Sequence, residues 1–369
     1  MARTGYAYEM FLVLPLLLLL QGCWFVRATP RAGSCPCEDP KLCEPITDVK
    51  DHEVFAFYLG GKVWKFYDWA QVTTVVLFAN YDPELMCYAH SKRARVVLAG
   101  NVELRYIIDP NNRTAWINQQ VDQAKKMHLD GINLDIEEGV LMFSPAYYAL
   151  TALVQETAKT FHKEIQGSQV SFDGTWSPTA DLTRCYNYSA IAKACDFLFV
   201  MSYDMRYIIG LAGANSPYEQ ALAGYEAYIK LGINPEKLLM GVPWYGYDYI
   251  CRNLHEPRVC TLKHTRPYKS KVGDQVCYCT LMKQVNGSLT GRLWDDKDKS
   301  PYFDYKDAAG YFHQVWYDDP QSISLKAAYV KERGLGGIGM WHANCLDYSD
   351  DPVAIQQTKD MWKALRPYQ

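Results

Sequence analysis

The chain has no excess of charge of either sign: 38 Lys and Arg stand against 41 Asp and Glu over 369 residues. Such a balance excludes nucleic acid or an anionic membrane surface as the main partner. Beyond the N-terminus there is no apolar run long enough to span a bilayer, which takes ~20 residues. No Gly-rich phosphate loop follows the first strand-like segment, so the usual companion of a doubly wound nucleotide-binding sheet is missing. Solenoid repeats and low-complexity tracts are absent as well. The close cysteine pairs Cys35-Pro-Cys37 and Cys277-Tyr-Cys279 lack the two-residue gap of a zinc knuckle. Neither a metal nor a cofactor is expected.

What is present begins with an export signature. Arg3 precedes an apolar stretch from Met10 to Leu20, and small residues such as Ala28 and Ala32 offer cleavage sites, so residues 1–32 read as a signal peptide. Three sequons, at Asn112, Asn187 and Asn286, fit a glycosylated, exported protein with no membrane segment after signal removal. Of 12 cysteines, Cys23 leaves with the signal. Cys35, Cys37 and Cys43 cluster in a leader over residues 33–50, and Cys251, Cys260, Cys277 and Cys279 cluster near residue 265. Both clusters read as disulfides clipping loops in an oxidising compartment. The odd remainder implies a thiol, for which Cys87 and Cys345 are the candidates. Aromatic content is 14%, with 28 Tyr and 10 Trp. That fits either a large core or a groove lined with rings.

Residues 51–369 alternate short apolar strands with longer amphipathic segments. Strands are expected at Glu53–Leu59, Thr73–Phe78, Arg95–Ala99, Gly131–Glu137, Gln169–Thr175, Phe197–Tyr203, Leu238–Trp244 and Gly337–Trp341. Helices are expected over Thr114–His128, Pro145–Ile165 and Tyr218–Leu231, the last two opened by Ser144-Pro145 and Ser216-Pro217. About eight repeats of strand and helix imply an α/β fold, a parallel (β/α)8 TIM barrel. The interval from about 250 to 320 is too long for a loop and reads as a disulfide-clipped insertion after strand seven.

The fourth strand carries the most information. Residues 130–137 read Asp-Gly-Ile-Asn-Leu-Asp-Ile-Glu. Side chains two apart share a face of a strand, so Asn133, Asp135 and Glu137 lie together, ~6–7 Å apart, opposite Ile132, Leu134 and Ile136. Two carboxylates and an amide on such a strand are costly to bury unless they are paired. Barrel enzymes place catalytic groups where strands end. Here those ends offer Tyr58, Asp135 and Glu137, Asp173 and Trp176, Met201 to Asp204, Trp244 and Tyr245, and Trp341. Rings that stack on sugar faces and acids that bind hydroxyls make a saccharide cup.

The octapeptide resembles the Asp-Gly-x-Asp-x-Asp-x-Glu motif of the family 18 glycoside hydrolases. Met201-Ser202-Tyr203-Asp204 is similar to that family's sixth-strand Met-x-Tyr-Asp, and Trp341 falls where its last strand carries a tryptophan. The resemblance spans roughly residues 50 to 365. It implies retaining hydrolysis in which the substrate's own acetamide is the nucleophile. Glu137 would be the acid and later the base, Asp135 the partner of the acetamide N–H, Tyr203 the donor to the acetamide oxygen, and Trp341 the floor. Asn133, Met201 and Asp204 of the matched motifs, with the strand-end residues Tyr58 and Trp244, are expected to complete the substrate site. Asn133 replaces the family's usual aspartate and is expected to donate to Asp135. With the Cys-rich leader, this departure is most similar to a lysosomal branch that cleaves between N-acetylglucosamine residues in the core of N-linked glycans. The expectation is thus a monomeric lysosomal or secreted glycosidase. A lectin on the same barrel and an endo-acting chitinase remain as alternatives.

Overall fold

The structure, a computed structural model, describes residues 35–37, 39–179, 183–205, 210–255, 259–262 and 273–366. The expected signal peptide lies outside the described residues. Eight parallel strands close into a barrel in the order β1-β2-β3-β4-β5-β6-β7-β14. They are β1 (Glu53–Tyr58), β2 (Thr74–Leu77), β3 (Arg95–Gly100), β4 (Gly131–Leu134), β5 (Gln169–Thr175), β6 (Phe197–Met201), β7 (Leu238–Pro243) and β14 (Gly337–Trp341). All eight expected strands are present. They are legible because a strand covered on both faces is a near-continuous apolar run.

Around the barrel run α1 (Pro83–Ser91), α2 (Leu104–Ile107), α3 (Pro110–Lys126), α4 (Pro145–Glu164), α5 (Tyr188–Ala194), α6 (Tyr218–Lys230), α8 (Pro320–Arg333) and α9 (Pro352–Ala364), with α7 (Tyr278–Asn286) in the insertion. Five of these start alike. Asp82, Asp109, Ser144, Asp319 and Asp351 each accept from a first-turn N–H, and a proline follows. The side chain satisfies an orphan donor, and proline supplies helical φ where no donor is needed. Helix α3 therefore starts at Asp109-Pro110, earlier than expected. Ser216-Pro217 looks the same in sequence but behaves otherwise. Ser216 makes no cap, and the Tyr218 N–H donates to the Asp298 carbonyl at 3.0 Å instead.

Between β7 and α8 lies the insertion, which starts at Tyr245, earlier than expected. It is a sheet of β8 (Tyr245–His255), β9 (Val259–Leu262), β10 (Asp274–Cys277), β11 (Leu293–Asp295), β12 (Ser300–Lys306) and β13 (Phe312–Trp316). The pairing is antiparallel, in the order β10-β8-β13-β12-β11 with β9 on β8. Cys251–Cys260 clips the β8–β9 hairpin, and Cys277–Cys345 ties the sheet to the segment after β14. Cys35–Cys87 and Cys37–Cys43 fasten the leader. Cys87 and Cys345 are thus both oxidised, contrary to expectation, because each faces a partner cysteine across an element boundary. Cys195, buried, and Cys279 carry thiols instead.

The motif's first two residues serve the fold. Gly131 is required because a Cβ there would lie 1.9 Å from the Gln169 carbonyl oxygen on β5. Asp130 is fully buried and accepts from the Ile46 N–H (2.8 Å), the Val96 N–H (2.7 Å) and His90 Nε2 (2.9 Å). The other ring nitrogen of His90 donates to the Leu42 carbonyl at 2.7 Å. The leader is thereby latched to the barrel through a histidine with an acceptor on each nitrogen. Burial alone would lower the His90 pKa, but the Asp130 carboxylate and the Leu42 carbonyl outweigh it and raise it.

A raised folded-state value means stabilisation that is complete below the unfolded value of ~6.5 and lost as pH rises through the folded one. His90→Gln should accordingly lower stability by about 2 kcal/mol in acid. The gap from wild type should narrow above neutrality. Denaturant melts at several pH values measure this, and a gap that stays constant with pH would contradict it. Among the described residues no helix is long and apolar enough to cross a membrane.

Candidate active site

Side chains alternate along each barrel strand, and that parity decides which ones reach the interior. Phe55 and Phe57 on β1 meet Phe199 on β6, with ring centroids 6.3 and 4.6 Å apart. The Trp341 ring at the end of β14 lies edge-on to Phe57 (5.6 Å) and Phe78 (5.1 Å). The inward set of β6 is Phe197, Phe199 and Met201, and Tyr203 continues it. Trp341, half-buried, is thus the exposed end of an aromatic column that fills the barrel.

Two expected residues lie elsewhere. Tyr58 has the opposite parity to Phe57, and its hydroxyl donates to the Gly61 carbonyl at 2.7 Å. Burial and the nearby Asp82 push its phenol up to about 12. Trp244 is fully buried and packs edge-on against Trp362 of α9 at 4.9 Å. Gly241, three residues earlier and so of opposite parity, points inward, where a Cβ would lie 2.9 Å from the Phe199 ring. Tyr58 and Trp244 are therefore packing residues outside the barrel lumen, and Phe57 is the interior residue at the end of β1.

The carboxylates gather beyond β4. Asn133 donates from Nδ2 to Ser171 Oγ (3.0 Å) and to Asp173 Oδ1 (2.7 Å) on β5. The expected bond from Asn133 to Asp135 is not made, because the β5 acceptors take the amide hydrogens. Asp173 is buried, and its carboxyl is pushed well above the usual range by burial first and then by the Asp135 charge, against the Asn133 hydrogen bond. Burial also raises Asp135 to about 6, with Glu137 adding to the rise and Arg184 opposing it. Asp135 Oδ1 is buried and finds no hydrogen-bond partner among the described residues. Glu137 is half-exposed, and its Oε2 lies 2.8 Å from Arg184 Nη2.

Tyr203 is buried among these acids. Burial foremost, then the Asp173, Asp204, Asp135 and Glu137 charges, hold its phenol far above the ordinary value. It remains an O–H donor at any working pH. Asp204 turns the chain at φ +57° and accepts from the hydroxyls of Tyr245 (2.5 Å) and Tyr247 (2.8 Å). Those tyrosines belong to β8, so Asp204 docks the insertion beside the site. Burial raises the Asp204 carboxyl, opposed by these two hydrogen bonds.

The structure therefore brings Asn133, Asp135, Glu137, Met201, Tyr203, Asp204 and Trp341 to one end of the barrel. Beside them lie Asp173 and Tyr245, also expected at strand ends, and the structure adds Arg184 and Tyr247. Asp173 was legible as a polar inward residue between Phe172 and Gly174, whereas nothing in the sequence marks Arg184. Of the sequon residues, Asn286 is exposed, Asn112 is half-exposed, and Asn187 caps α5 through its Oδ1.

Comparison with known proteins places this geometry. The family model described as glycosyl hydrolases family 18 matches residues 45–345. The chain is 57% identical over 374 residues to the di-N-acetylchitobiase of Mus musculus, covering 100% of both chains. It is 59% identical over 340 residues to the di-N-acetylchitobiase of Homo sapiens, covering 90% of this chain and 88% of that one. A solved structure of the class V chitinase from Nicotiana tobaccum superposes with a TM-score of 0.68 at 17% identity, over 84% of this chain and 99% of that one. The Ostrinia furnacalis group IV chitinase, solved in complex with allosamidin, gives 0.70 at 18% identity, over 85% and 97%. The two chitinase structures establish the fold, and the domain match with the identity across the whole chain establishes the lineage: this is a glycoside hydrolase that belongs to the glycosyl hydrolases of family 18.

Proposed function

We propose that the enzyme cleaves the β-1,4 bond between N-acetylglucosamine residues, with retention, using the substrate's acetamide as nucleophile. The observation that carries this reading is the orphaned, buried Oδ1 of Asp135. A buried acceptor without a donor is costly unless a ligand supplies one. An acetamide N–H meets that need and gains positive character as the oxazolinium forms. Tyr203, kept protonated, donates to the acetamide oxygen and aims it at the anomeric carbon. Trp341 stacks beneath the reacting ring. Glu137 protonates the glycosidic oxygen and then deprotonates water. A sugar without the 2-acetamido group brings no nucleophile and is not turned over.

The proposed substrate is the chitobiose core of N-linked oligosaccharides, attacked from the reducing end. Similarity to the two di-N-acetylchitobiases supports this choice. A lysosomal setting is part of the same proposal and is consistent with the four disulfides among the described residues. Product analysis on a reducing-end-labelled oligosaccharide tests the polarity. Release of single labelled N-acetylglucosamine units is expected. Internal cuts in a chitin oligomer would replace this reading with an endo-acting chitinase.

A further inference from the structure

Tyr203 lies beyond the end of β6, which stops at Met201, and the chain turns at Asp204 with φ +57°. A phenol that must donate to the acetamide cannot give its hydrogen to the protein. Its aim has to come from the base of the side chain. On the strand side that base is fixed by Ser202, fully buried, whose hydroxyl shares a hydrogen bond with that of Tyr225 on α6.

On the far side the turn is held twice. Asn215, just ahead of α6, is only 1% exposed. The Asp204 N–H donates to its Oδ1 at 2.8 Å, and the Met205 N–H donates to its backbone carbonyl at 3.2 Å. Its Nδ2 donates to the Tyr245 carbonyl at 3.2 Å. The amide oxygen faces an N–H and the amide nitrogen faces a carbonyl, so the group fits one way round. One buried side chain thereby joins the turn after β6 to the start of β8. The Asp204 side chain is held from the insertion, where Tyr245 and Tyr247 both donate to Oδ1. Gln275 on β10 is paired with Tyr247 across the sheet. Its Nε2 donates to the Tyr247 hydroxyl at 3.0 Å, which leaves the tyrosine's own hydrogen for Asp204. The Tyr245 ring also stands edge-on to that of Tyr203, with centroids 6.0 Å apart. An aspartate keeps a left-handed backbone only where its surroundings hold it there. Here they hold both its backbone and its carboxylate.

Resting on the role read for Tyr203, we propose that Asn215 and Tyr247 are positioning residues for the acetamide. They clamp the Asp204 turn, Asn215 by its backbone and Tyr247 by its carboxylate, and so fix where the Tyr203 hydroxyl points. The acetamide becomes a nucleophile only when it is aimed at the anomeric carbon. A slack clamp therefore slows the reaction and spares the binding of the rest of the saccharide. The insertion is by this route part of the catalytic apparatus, since β8 and β10 act on Tyr203 through Asp204.

The test compares wild type, Asn215→Ala, Tyr247→Phe and Tyr203→Phe on a reducing-end-labelled N-acetylglucosamine oligosaccharide. Binding of a thiazoline analogue of the oxazolinium ion is measured alongside. Asn215→Ala should lower kcat about 10–10²-fold, the cost of a small misplacement, with KM within about threefold of wild type. Tyr247→Phe keeps the ring and removes one of two hydroxyl donors to Asp204, so kcat should fall about 3–10-fold. Thiazoline affinity should fall by a like factor in each variant, because the analogue needs the aimed geometry. A residue that merely supports the fold would lower the melting temperature and leave both kcat per folded molecule and thiazoline affinity where they are. That outcome, or a rise in KM with kcat unchanged, would overturn the proposal. Should Asn215→Ala not fold, Tyr247→Phe decides by itself. Tyr203→Phe judges the reading beneath. If it loses turnover while the Asn215 and Tyr247 variants keep theirs, only the clamp falls; if it turns over like wild type, the role of Tyr203 falls and the clamp with it.

Discussion

Glu137→Gln is expected to lower kcat by roughly 10³-fold while leaving saccharide affinity within a few-fold of wild type. Glutamine preserves the shape and can still accept from Arg184, so the loops after β4 and β5 should remain in place. What it cannot do is deliver a proton. The leaving sugar's oxygen would then depart as an alkoxide, a far poorer leaving group than an alcohol. The second half-reaction suffers as well, since the same carboxylate activates the water. Steady-state kinetics on a labelled oligosaccharide, with calorimetric binding alongside, separates the two effects. Residual turnover above a tenth of wild type would remove Glu137 from the acid role. A wild-type enzyme that binds saccharide but turns none over would return the barrel to a lectin.

The parity rule that identified this acid shows both the reach and the limit of the sequence. Applied to β4, it places Asn133, Asp135 and Glu137 on one face, and they converge in the barrel mouth. Tyr58 and Trp244 also lie at strand ends, but parity turns both away from the lumen. Phe55 and Phe57 fill the lumen, so Tyr58 faces outward; Gly241 lies beneath Phe199, so Trp244 does too. The eight barrel strands are legible because burial on both faces leaves little but apolar residues. The insertion, by contrast, was legible only as an interval stapled by cysteines. Its strands are partly exposed, with β8 mixing buried and exposed residues irregularly along its length. Arg184 is illegible for a different reason. Its meaning comes from its bridge to Val140, between the irregular loops after β5 and β4, and no local pattern encodes that pairing. The target of the Asn133 amide is likewise a property of the neighbouring strand, β5, and only the assembled barrel reveals it.

Asp135→Asn should lose activity and gain stability at once. Burial, with Glu137 adding to it, raises the Asp135 carboxyl to about 6, above its unfolded value of ~3.9. A value raised by folding means that stability present below the unfolded pKa is lost as pH climbs through the folded one. At neutral pH the native state therefore carries an ionised, partly desolvated carboxylate, which costs it about 1–3 kcal/mol. Asparagine is neutral at every pH and avoids that penalty. The variant should melt a few degrees higher than wild type at pH ~7, and the advantage should vanish by pH ~4, where wild-type Asp135 is protonated. Its kcat should nonetheless fall by about 10²–10³-fold, comparable to removing one preorganised group from a charged transition state. An amide cannot offset the positive charge that develops on the substrate's acetamide nitrogen. Thermal melts at both pH values, read beside kcat, decide the matter. Lost activity with a lower melting temperature would make Asp135 a structural residue. Unchanged activity would take it out of the mechanism. A loss of turnover joined to a pH-dependent gain in stability is the signature of a carboxylate that the fold holds in an unfavourable place for the sake of the reaction.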